Sequence, residues 1–466
     1  MSKSYDLIVL GSGPGGYVAA IRAAQLGLSV AVVEKDPKFG GTCLHRGCIP
    51  TKALLHTAST LDEIRHASRI GIEVSDPVVD MRQTHAYKEK VVAKNAKGIE
   101  FLFKKNKIDG IHGFGCLVGP NRLEVQRGGV AETYEAKNIL IATGSVPREI
   151  PIAPTDGESI INSDHALQQQ RVPKSLVVLG AGAVGTEFAS IFKSFGTEEV
   201  TIVEMLPRLL PIEDEEVSLE LEKIFRKRGI KALVDTKLES VDKVDGGVRL
   251  QLNRRGATET LDAEQLLVAV GRAPVSENIG LETLAVDCER GYIGVDEFMK
   301  TSVPNIYAIG DVVNTPWLAH VASAEGILAA EHMAGYEQVR PVNYNLVPSC
   351  TYCDPEVASV GLTEAQAREQ GYEVEVGKFP FSALGKAGIL QRPEGFVKVV
   401  RETKYDELLG IHIIGAHATD LIGEACVALS VETTNEELIR TMHAHPTLSE
   451  AVMEAAHAAM GHAIHF

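Results

Sequence analysis

The sequence has few features of a membrane protein or of a disulfide-rich secreted protein. It holds seven cysteines in 466 residues, and an odd number argues against a framework of structural disulfides. Its longest apolar runs, such as residues 176–183, are far shorter than the ~20 residues that span a membrane. The N-terminus, MSKSYDLIVLGSG, lacks a long apolar segment with a cleavage site, so no signal peptide is expected. We therefore expect no membrane insertion, and a cytoplasmic setting in preference to an organelle matrix after processing.

Positive charge is also scarce. Lysine and arginine number 46 against 62 acidic residues, which gives a formal charge of −16 at pH 7. A chain this acidic is a poor candidate for binding nucleic acid, although a local basic patch could still dock an acidic partner.

The hydrophobic fraction of 45 % is ordinary for a soluble globular protein. A chain of 466 residues is too long for one core, so roughly two to four domains are expected.

Two segments repeat one order of elements: an apolar strand, a glycine-rich turn, a helix and a second strand that ends in glutamate. The first begins with a strand at residues 5–10 and ends at Glu34, and the second begins at residues 175–179 and ends at Glu204. Glycines let the backbone approach a pyrophosphate, and the helix N-terminus supplies N–H donors to it. The pattern predicts two dinucleotide-binding units, with turn glycines Gly11, Gly13, Gly16, Gly180, Gly182 and Gly185.

The acid at the end of each second strand lies where a ribose hydroxyl group would be bound. Glu204 would accept a hydrogen bond from a free 2′-hydroxyl group and repel a 2′-phosphate, which favours NAD over NADP. The alternative is that Glu204 is only a solvated residue at the end of a strand.

A third signal is the segment GGTCLHRGCIPTK at residues 40–52, where Cys43 and Cys48 lie five residues apart. Pro50 and the residues after it mark the start of a helix. Cys48 is therefore expected at or just before a helix N-terminus, which favours the thiolate form. The alternative is that the two residues are ordinary buried cysteines.

This segment resembles the redox site of the class I flavoprotein disulfide reductases. Motifs at residues 142–144 (ATG), 301–311 (TSVPNIYAIGD) and 443–450 (HAHPTLSE) resemble other marks of the family in the same order. The match covers essentially the whole chain. Residues 318–320 and 355–364, with the ending AIHF, are most similar to the members that oxidise dihydrolipoamide.

The resemblance implies an α/β fold with two Rossmann-like dinucleotide-binding domains and a C-terminal α+β dimerisation domain. Implied boundaries are 1–150 for an FAD-binding domain, 151–275 for an NAD-binding domain, 276–345 for a central domain that completes the FAD site, and 346–466 for an interface domain. From about residue 346 the sequence itself predicts alternating strands at 374–381, 395–401 and 408–414 with two helices.

The resemblance also implies catalytic residues. Cys43 and Cys48 would form a redox-active disulfide, with Cys43 meeting the substrate and Cys48 facing the flavin. A base must take the proton of the substrate thiol, because only thiolates attack disulfides well. His445 suits this role near neutral pH, and Glu450 would hold its ring.

FAD and NAD are the implied cofactors. Lys52 would pair with Glu187 beside the flavin, and Asp311 would face its ribityl or pyrophosphate part. The remaining implied cofactor contacts are Ala142, Thr143, Gly144, Gly271, Leu318, Ala319 and His320. The sequence departs from the family at His45 and Arg46, whose positive charge would favour a nearby thiolate or alter docking.

The implied activity is oxidation of protein-bound dihydrolipoamide with reduction of NAD, as the E3 component of 2-oxoacid dehydrogenase or glycine-cleavage complexes. The implied partners are a second copy of the chain and the lipoyl domain of an E2 acyltransferase or the glycine-cleavage H protein. Glutathione and mercuric reductases are alternatives, but they normally use NADPH, which Glu204 disfavours. Residues 451–466 also lack the cysteine pair of mercuric reductase. An idle scaffold subunit is a further alternative, which the intact catalytic set argues against.

The other cysteines are not expected to bind metal. Cys350 and Cys353 form a CxxC pair without the second pair or histidines that zinc needs. We interpret them as incidental strand cysteines, and Cys116, Cys288 and Cys426 as inert.

Overall fold

The computed structural model describes residues 3–466. Its backbone divides into two compact units. The first unit contains the chain up to Ala53, His85–Arg148 and Arg272–Val342, and the second contains Leu54–Thr84, Glu149–Gly271 and Asn343–Phe466. Within the described residues, none of the helices combines the length and the apolar character needed to cross a membrane.

The secondary structure contains strands and helices in alternation along most of the chain. The strands are β1 (Ser4–Leu10), β2 (Val30–Glu34), β3 (Asp109–His112), β4 (Phe114–Gly119), β5 (Arg122–Arg127), β6 (Val130–Ile141), β7 (Ser145–Pro147), β8 (Ile160–Ile161), β9 (Ser175–Leu179), β10 (Glu199–Val203), β11 (Ile230–Leu233), β12 (Thr236–Val244), β13 (Gly247–Arg254), β14 (Ala257–Ala263), β15 (Gln265–Val268), β16 (Arg272–Pro274), β17 (Cys288–Glu289), β18 (Tyr292–Ile293), β19 (Ile306–Ala308), β20 (Ser349–Thr351), β21 (Glu356–Gly361), β22 (Val374–Pro380), β23 (Phe396–Glu402) and β24 (Leu408–Gly415). The helices are α1 (Pro14–Gln25), α2 (Gly41–Arg46), α3 (Cys48–Arg65), α4 (Met81–Lys105), α5 (Ser163–Ala166), α6 (Ala183–Phe195), α7 (Glu215–Lys227), α8 (Ala319–Met333), α9 (Glu364–Glu369), α10 (Gly385–Ile389), α11 (Ala418–Ser430), α12 (Asn435–Arg440) and α13 (Glu450–Ala459).

The first unit is built on a sheet of order β3-β2-β1-β6-β5-β4, with β19 also paired to β6. Strands β1, β2, β3, β6 and β19 run parallel, whereas β4 and β5 pair antiparallel. Residues 7–10 of β1 are all buried, as expected of a parallel strand covered on both faces. Helices α1 and α8 pack closely, since a Cβ at Gly326 would lie 2.6 Å from the carbonyl oxygen of Gly15.

The second unit contains a parallel sheet of order β11-β10-β9-β15-β8 and an antiparallel sheet of order β12-β13-β14. Its C-terminal part is an antiparallel sheet of order β20-β21-β24-β23-β22. Apolar side chains of this sheet and of α11 and α13 form one core. The expected fold class, two dinucleotide-binding sheets followed by an α+β part, is confirmed.

Two details of the sequence prediction were wrong. The C-terminal part has five helices, whereas the sequence predicted two. Helices α9, α10 and α12 were missed because they have only five or six residues, which is too short to show a helical periodicity. The sequence of residues 305–311 also predicts a strand that ends in Asp311, but the strand is only β19, and Gly310–Val312 is a 3-10 turn. Gly310 has a φ of 70°, which ends the extended strand.

Candidate active site

In the first glycine turn, two glycines are closely packed, and the Cβ position of a third faces open space. A Cβ at Gly11 would lie 2.3 Å from the carbonyl oxygen of Ala142, and one at Gly16 would lie 2.0 Å from that of Gly11. At Gly13, by contrast, no heavy atom of the described chain outside Gly13 and its two neighbours lies within 4 Å of the Cβ position. Gly13 precedes α1, whose first turn has no side-chain cap among residues 3–466. This geometry fits a pyrophosphate at the helix N-terminus.

The second glycine turn repeats this geometry. A Cβ at Gly180 would lie 2.5 Å from the carbonyl oxygen of Ala269, and one at Gly185 would lie 2.0 Å from that of Gly180. Gly182 is open like Gly13 and precedes α6. The two turns therefore both fit a dinucleotide.

The segments that approach these turns also correspond. Residues 142–144 follow β6 in the first unit, and residues 269–271 follow β15 in the second. Gly144 and Gly271 have φ angles of 69° and 103°, a conformation that favours glycine. The structure therefore places both predicted glycines at equivalent points, each two residues after the alanine that approaches a glycine turn.

The two strand-end acids also correspond. Glu34 accepts hydrogen bonds from the backbone N–H of Ser12 at 3.0 Å and from its hydroxyl group at 2.6 Å. Glu204 accepts from the N–H groups of Ala181 at 2.7 Å and Leu206 at 2.8 Å. Each carboxylate therefore holds its own glycine turn and lies at the position expected for a ribose contact.

The disulfide expected from the sequence is present. Cys43 on α2 is bonded to Cys48, the first residue of α3, with Cα atoms 4.8 Å apart. Gly47 permits this approach, because a Cβ there would lie 3.2 Å from the carbonyl oxygen of Thr42. The predicted helix start at Cys48 is confirmed.

The segment that carries the disulfide packs against the first glycine turn. A Cβ at Gly41 would lie 2.5 Å from the Cα atom of Gly13, so this approach requires glycine. The N–H group of Gly40 donates to the Ser12 hydroxyl oxygen at 3.0 Å, and that hydroxyl donates to Glu34. Ser12 thus joins the turn, the strand-end acid and the disulfide segment, a role that the sequence analysis missed.

Arg46 and His45 have local partners. Arg46 donates to Asp36 at 2.8 Å, and the His45 ring is 2.9 Å from the carbonyl oxygen of Phe39. Asp36 compensates for the charge of Arg46, so the gain in positive charge beside the disulfide is smaller than the sequence suggested.

Lys52 lies on α3, and the other remaining predicted contacts of the first unit lie after β6, after β19 and at the start of α8. Asp311 accepts from the Ser145 hydroxyl group at 2.5 Å, and Arg272 donates to that same hydroxyl oxygen at 2.6 Å. Thr143 donates to the carbonyl oxygen of Val275 at 2.5 Å. Ala319 is the first residue of α8. Ser145 and Arg272 were missed, although each directly follows a predicted glycine, Gly144 or Gly271.

His445 and Glu450 form the expected pair in the second unit. His445 Nδ1 is 2.8 Å from Glu450 Oε1, and the N–H group of Thr447 donates to Glu450 Oε2 at 2.8 Å. Partial burial opposes ionisation of Glu450, but the hydrogen bonds from His445 and Thr447 outweigh it and lower its pKa. An ionised Glu450 makes Nδ1 the donor, which leaves Nε2 as the basic nitrogen.

A second histidine–glutamate pair lies beside this one. His443 Nε2 is 2.6 Å from Glu424 Oε1, and His443 Nδ1 is 2.8 Å from the carbonyl oxygen of Thr441. Both ring nitrogens face acceptors, which only the protonated ring can satisfy. The hydrogen bond that His443 donates to Glu424 accordingly raises the pKa of His443 against the opposing effect of burial. The positive ring also helps to lower the pKa of Glu450.

We expect Glu424→Gln to remove a pH-dependent part of the protein's stability. A raised pKa in the folded state stabilises the protein below the unfolded pKa of about 6.5. That contribution is lost as the pH rises through the folded value. The deficit in melting temperature of the variant should therefore be largest below about pH 6.5 and shrink at higher pH. Glu436→Gln, which removes an exposed ion pair on α12, is the control. A deficit in melting temperature of Glu424→Gln that does not vary with pH would contradict this account.

The other five cysteines are not in disulfide bonds. Cys350 lies on β20 as expected, but Cys353 lies beyond its end, and its sulfur donates to the carbonyl oxygen of Pro355 at 3.2 Å. Burial raises the pKa of the Cys353 thiol well above its usual value, which makes it unreactive. Across residues 3–466, no group of three or more histidine, cysteine or acidic side chains is placed to hold a metal ion.

Comparisons with known proteins identify the same family along the whole chain. The sequence model described as pyridine nucleotide-disulphide oxidoreductase matches residues 5–326, and the dimerisation domain of the same family matches residues 347–456. The dihydrolipoyl dehydrogenases of Bacillus subtilis and Zymomonas mobilis are each 46 % identical to the chain, over 100 % of both sequences. The crystal structure of LpdA from Mycobacterium tuberculosis has a TM-score of 0.90 at 28 % identity, covering 97 % of this chain and 99 % of that one. The chain belongs to the pyridine nucleotide-disulphide oxidoreductase family.

Proposed function

We propose that the protein is a dihydrolipoyl dehydrogenase, which oxidises dihydrolipoamide to lipoamide and reduces NAD⁺. The observation that carries this proposal is the Cys43–Cys48 disulfide held against the first dinucleotide turn through Gly41. Full-length relatives of that name support it. Its cofactors are FAD and NAD, so the predicted cofactors are confirmed.

The residues that would hold these cofactors lie in the two corresponding turns. We assign Gly11, Gly13, Gly16 and Glu34 to FAD, and Gly180, Gly182, Gly185 and Glu204 to NAD. We assign Asp311, residues 142–144 and residues 318–320 to the remainder of the FAD site, with Lys52 and Glu187 beside the flavin. Bound FAD supplies a two-electron carrier between the enzyme's dithiol and NAD⁺.

The substrate dithiol would be oxidised by two exchange steps. In the first, a substrate thiolate bonds to Cys43 Sγ as the Cys43–Cys48 bond breaks, and Cys48 leaves as a thiolate. In the second, the other substrate sulfur displaces Cys43, which closes the lipoamide disulfide and leaves the enzyme dithiol. His445 accepts the proton of the attacking thiol, and Glu450 orients the ring and stabilises its charged form. Cys48 begins α3, where the helix dipole favours a thiolate leaving group.

The protein forms a homodimer through the part that matches the family's dimerisation domain. We propose that its substrate is a lipoyl group presented by the lipoyl domain of an E2 acyltransferase or by a glycine-cleavage H protein. We also propose a cytoplasmic setting, since five cysteines outside any disulfide beside one redox disulfide are typical of a reducing compartment.

Steady-state kinetics test the proposed function. The protein is assayed with dihydrolipoamide and NAD⁺, dihydrolipoamide and NADP⁺, and glutathione disulfide with NADH or NADPH. The highest kcat/KM is expected for dihydrolipoamide with NAD⁺. A higher value for glutathione disulfide with NADPH would assign the chain to another member of the family.

We expect Glu204 to set the preference for NAD. A hydrogen bond to a charged group contributes about 1.5–3 kcal/mol, so Glu204→Ala should lower kcat/KM for NAD⁺ roughly ten- to a hundredfold. The value for NADP⁺ should change much less, because the repulsion of its phosphate is removed at the same time. Glu215→Ala, an exposed acid at the start of α7, should change neither value. Equal kcat/KM for the two nucleotides in the wild type would contradict this prediction.

A further inference from the structure

Helix α4 has an exposed row of lysines in an otherwise acidic chain. It contains seven basic and two acidic residues, whereas the chain as a whole has a charge of −16. Lys90, Lys94, Lys97 and Lys104 are separated by four, three and seven residues, so they lie on one face of the helix. Lys105 lies beside this row. With a rise of 1.5 Å per residue, the row is about 21 Å long. We call these five lysines the lysine face.

The opposite side of α4 anchors the helix in the first unit. Val92, Ala96, Ile99 and Phe103 are buried in the core formed with β1 and α1. The five lysines, by contrast, are all exposed. None of them has a carboxylate within ion-pair distance among the described residues, whereas the buried Lys88 pairs with Glu89 at 3.2 Å. The lysine face therefore points to solvent with no ion pair within bonding distance among the described residues, and Glu100 is an acid near it on the helix.

An aromatic ring lies within this face. Phe101 is four residues after Lys97 and three before Lys104, and it is 64 % exposed. A single exposed apolar side chain is unremarkable by itself. An apolar ring surrounded by charged residues, however, has the composition of an interface anchor with a polar rim. The face thus combines long-range attraction for an acidic partner with a short-range apolar contact.

We propose that the lysine face docks an acidic carrier domain that presents the lipoyl group. This inference rests on the proposed function, in which the substrate is attached to a protein. The rest of the chain repels an acidic carrier, so the local basic face decides where the carrier approaches and raises the rate of encounter. The overall charge of −16 makes the much longer phosphate backbone of a nucleic acid a poorer fit for the same face.

The test compares two forms of one substrate. Free dihydrolipoamide has no net charge, and a dihydrolipoyl carrier domain with a negative net charge is the charged probe. The triple variant Lys90→Glu/Lys94→Glu/Lys97→Glu should lower kcat/KM for the carrier domain by about tenfold or more, mainly through KM, since steering is worth 10–10³-fold. Its kcat/KM for free dihydrolipoamide should be unchanged. For the wild type, kcat/KM for the carrier should fall as salt is added.

Three further variants make the test specific. Lys90→Gln/Lys94→Gln/Lys97→Gln should show a smaller loss for the carrier, because it removes the charge without reversing it. Phe101→Ala should weaken the carrier reaction with an unchanged salt dependence. Lys227→Glu/Lys231→Glu/Lys237→Glu changes the net charge by the same amount at exposed positions elsewhere, and should leave the carrier reaction within about twofold of the wild type.

The outcomes separate the two proposals. Normal turnover of free dihydrolipoamide with unchanged carrier kinetics in the first triple variant would overturn the docking proposal alone. An equal loss in the control triple variant would also overturn it, because the effect would then come from net charge. No turnover of free dihydrolipoamide by the wild type would overturn the proposed function and the docking proposal with it. Salt-sensitive binding of a single-stranded oligonucleotide, abolished in the triple variant while its carrier kinetics stay normal, would assign the face to a different partner.

Discussion

Replacing Cys43 by serine is expected to reduce dihydrolipoamide oxidation by about a thousandfold or more, a loss typical of removing a reacting group. Serine cannot form the disulfide that Cys43 makes with Cys48, so no disulfide is left for the substrate thiolate to attack. Cys48→Ser should cause a loss of the same size, because the leaving thiolate is removed. The measurement is the steady-state rate with dihydrolipoamide and NAD⁺.

Cys288→Ser is the matched control for these variants. Cys288 is an exposed free cysteine on β17, and its replacement should leave the rate unchanged. Wild-type activity in Cys43→Ser would show that the disulfide is not the redox site.

The two single-serine variants also distinguish the roles of the two sulfurs. Cys48 lies at the N-terminus of α3, which favours its thiolate. The Cys43→Ser variant should therefore keep the long-wavelength absorption band of a thiolate beside the flavin, and Cys48→Ser should lose it. The reverse pattern would show that the assigned roles are exchanged.

Features set by local sequence were predicted well. Strand β9 lies at residues 175–179 as expected, and β1 differs from its prediction by one residue. The glycine turns were recognisable because packing demands glycine at fixed spacing: a Cβ at Gly16 or at Gly185 would lie 2.0 Å from a carbonyl oxygen. The pairing of Cys43 with Cys48 came from the family resemblance, and the structure contains it.

Contacts between distant parts of the chain were not predictable in this way. His443 and Glu424 pair across 19 residues, and Ser145 and Asp311 pair across 166. No periodicity or spacing links such residues, because the tertiary fold alone brings them together. The domain boundaries at residues 150, 275 and 345 and the roles of the cofactor-binding residues stay predictions.

The exposure of His445 has a consequence for the quaternary structure. In the single chain the His445 side chain is 79 % exposed, although its partner Glu450 is only 17 % exposed. Met442, three residues earlier, is 95 % exposed. A base that works on a thiol needs a site that limits access of water. His445 also lies in the part that matches the dimerisation domain, whereas Cys43 lies in the part that matches the oxidoreductase domain. We therefore expect each active site of the homodimer to combine the disulfide of one chain with His445 of the other.

Mixing two inactive variants tests this arrangement. His445→Gln alone should lower the rate of dihydrolipoamide oxidation by about 10²–10⁴-fold, the usual contribution of a general base. In a heterodimer of Cys43→Ser and His445→Gln chains, a shared site would retain both an intact disulfide and an intact base at one of its two positions. Random subunit exchange makes about half of the dimers mixed, so the activity should return to about a quarter of the wild-type value.

The opposite arrangement gives a different result. If each chain supplies its own base, the Cys43→Ser chain lacks the disulfide and the His445→Gln chain lacks the base, so a heterodimer has no complete site. Exchange must be shown independently, for example by mass spectrometry of chains with different tags, because unexchanged homodimers are also inactive. Mixing His445→Gln with Glu450→Gln is the matched negative control, because both changes fall in the same half of the site and no mixed dimer then has a complete His445–Glu450 pair in either arrangement. No gain of activity in the first mixture, with exchange demonstrated, would show that His445 acts within its own chain. A gain of activity in the control mixture would show that the recovery does not come from a rebuilt site.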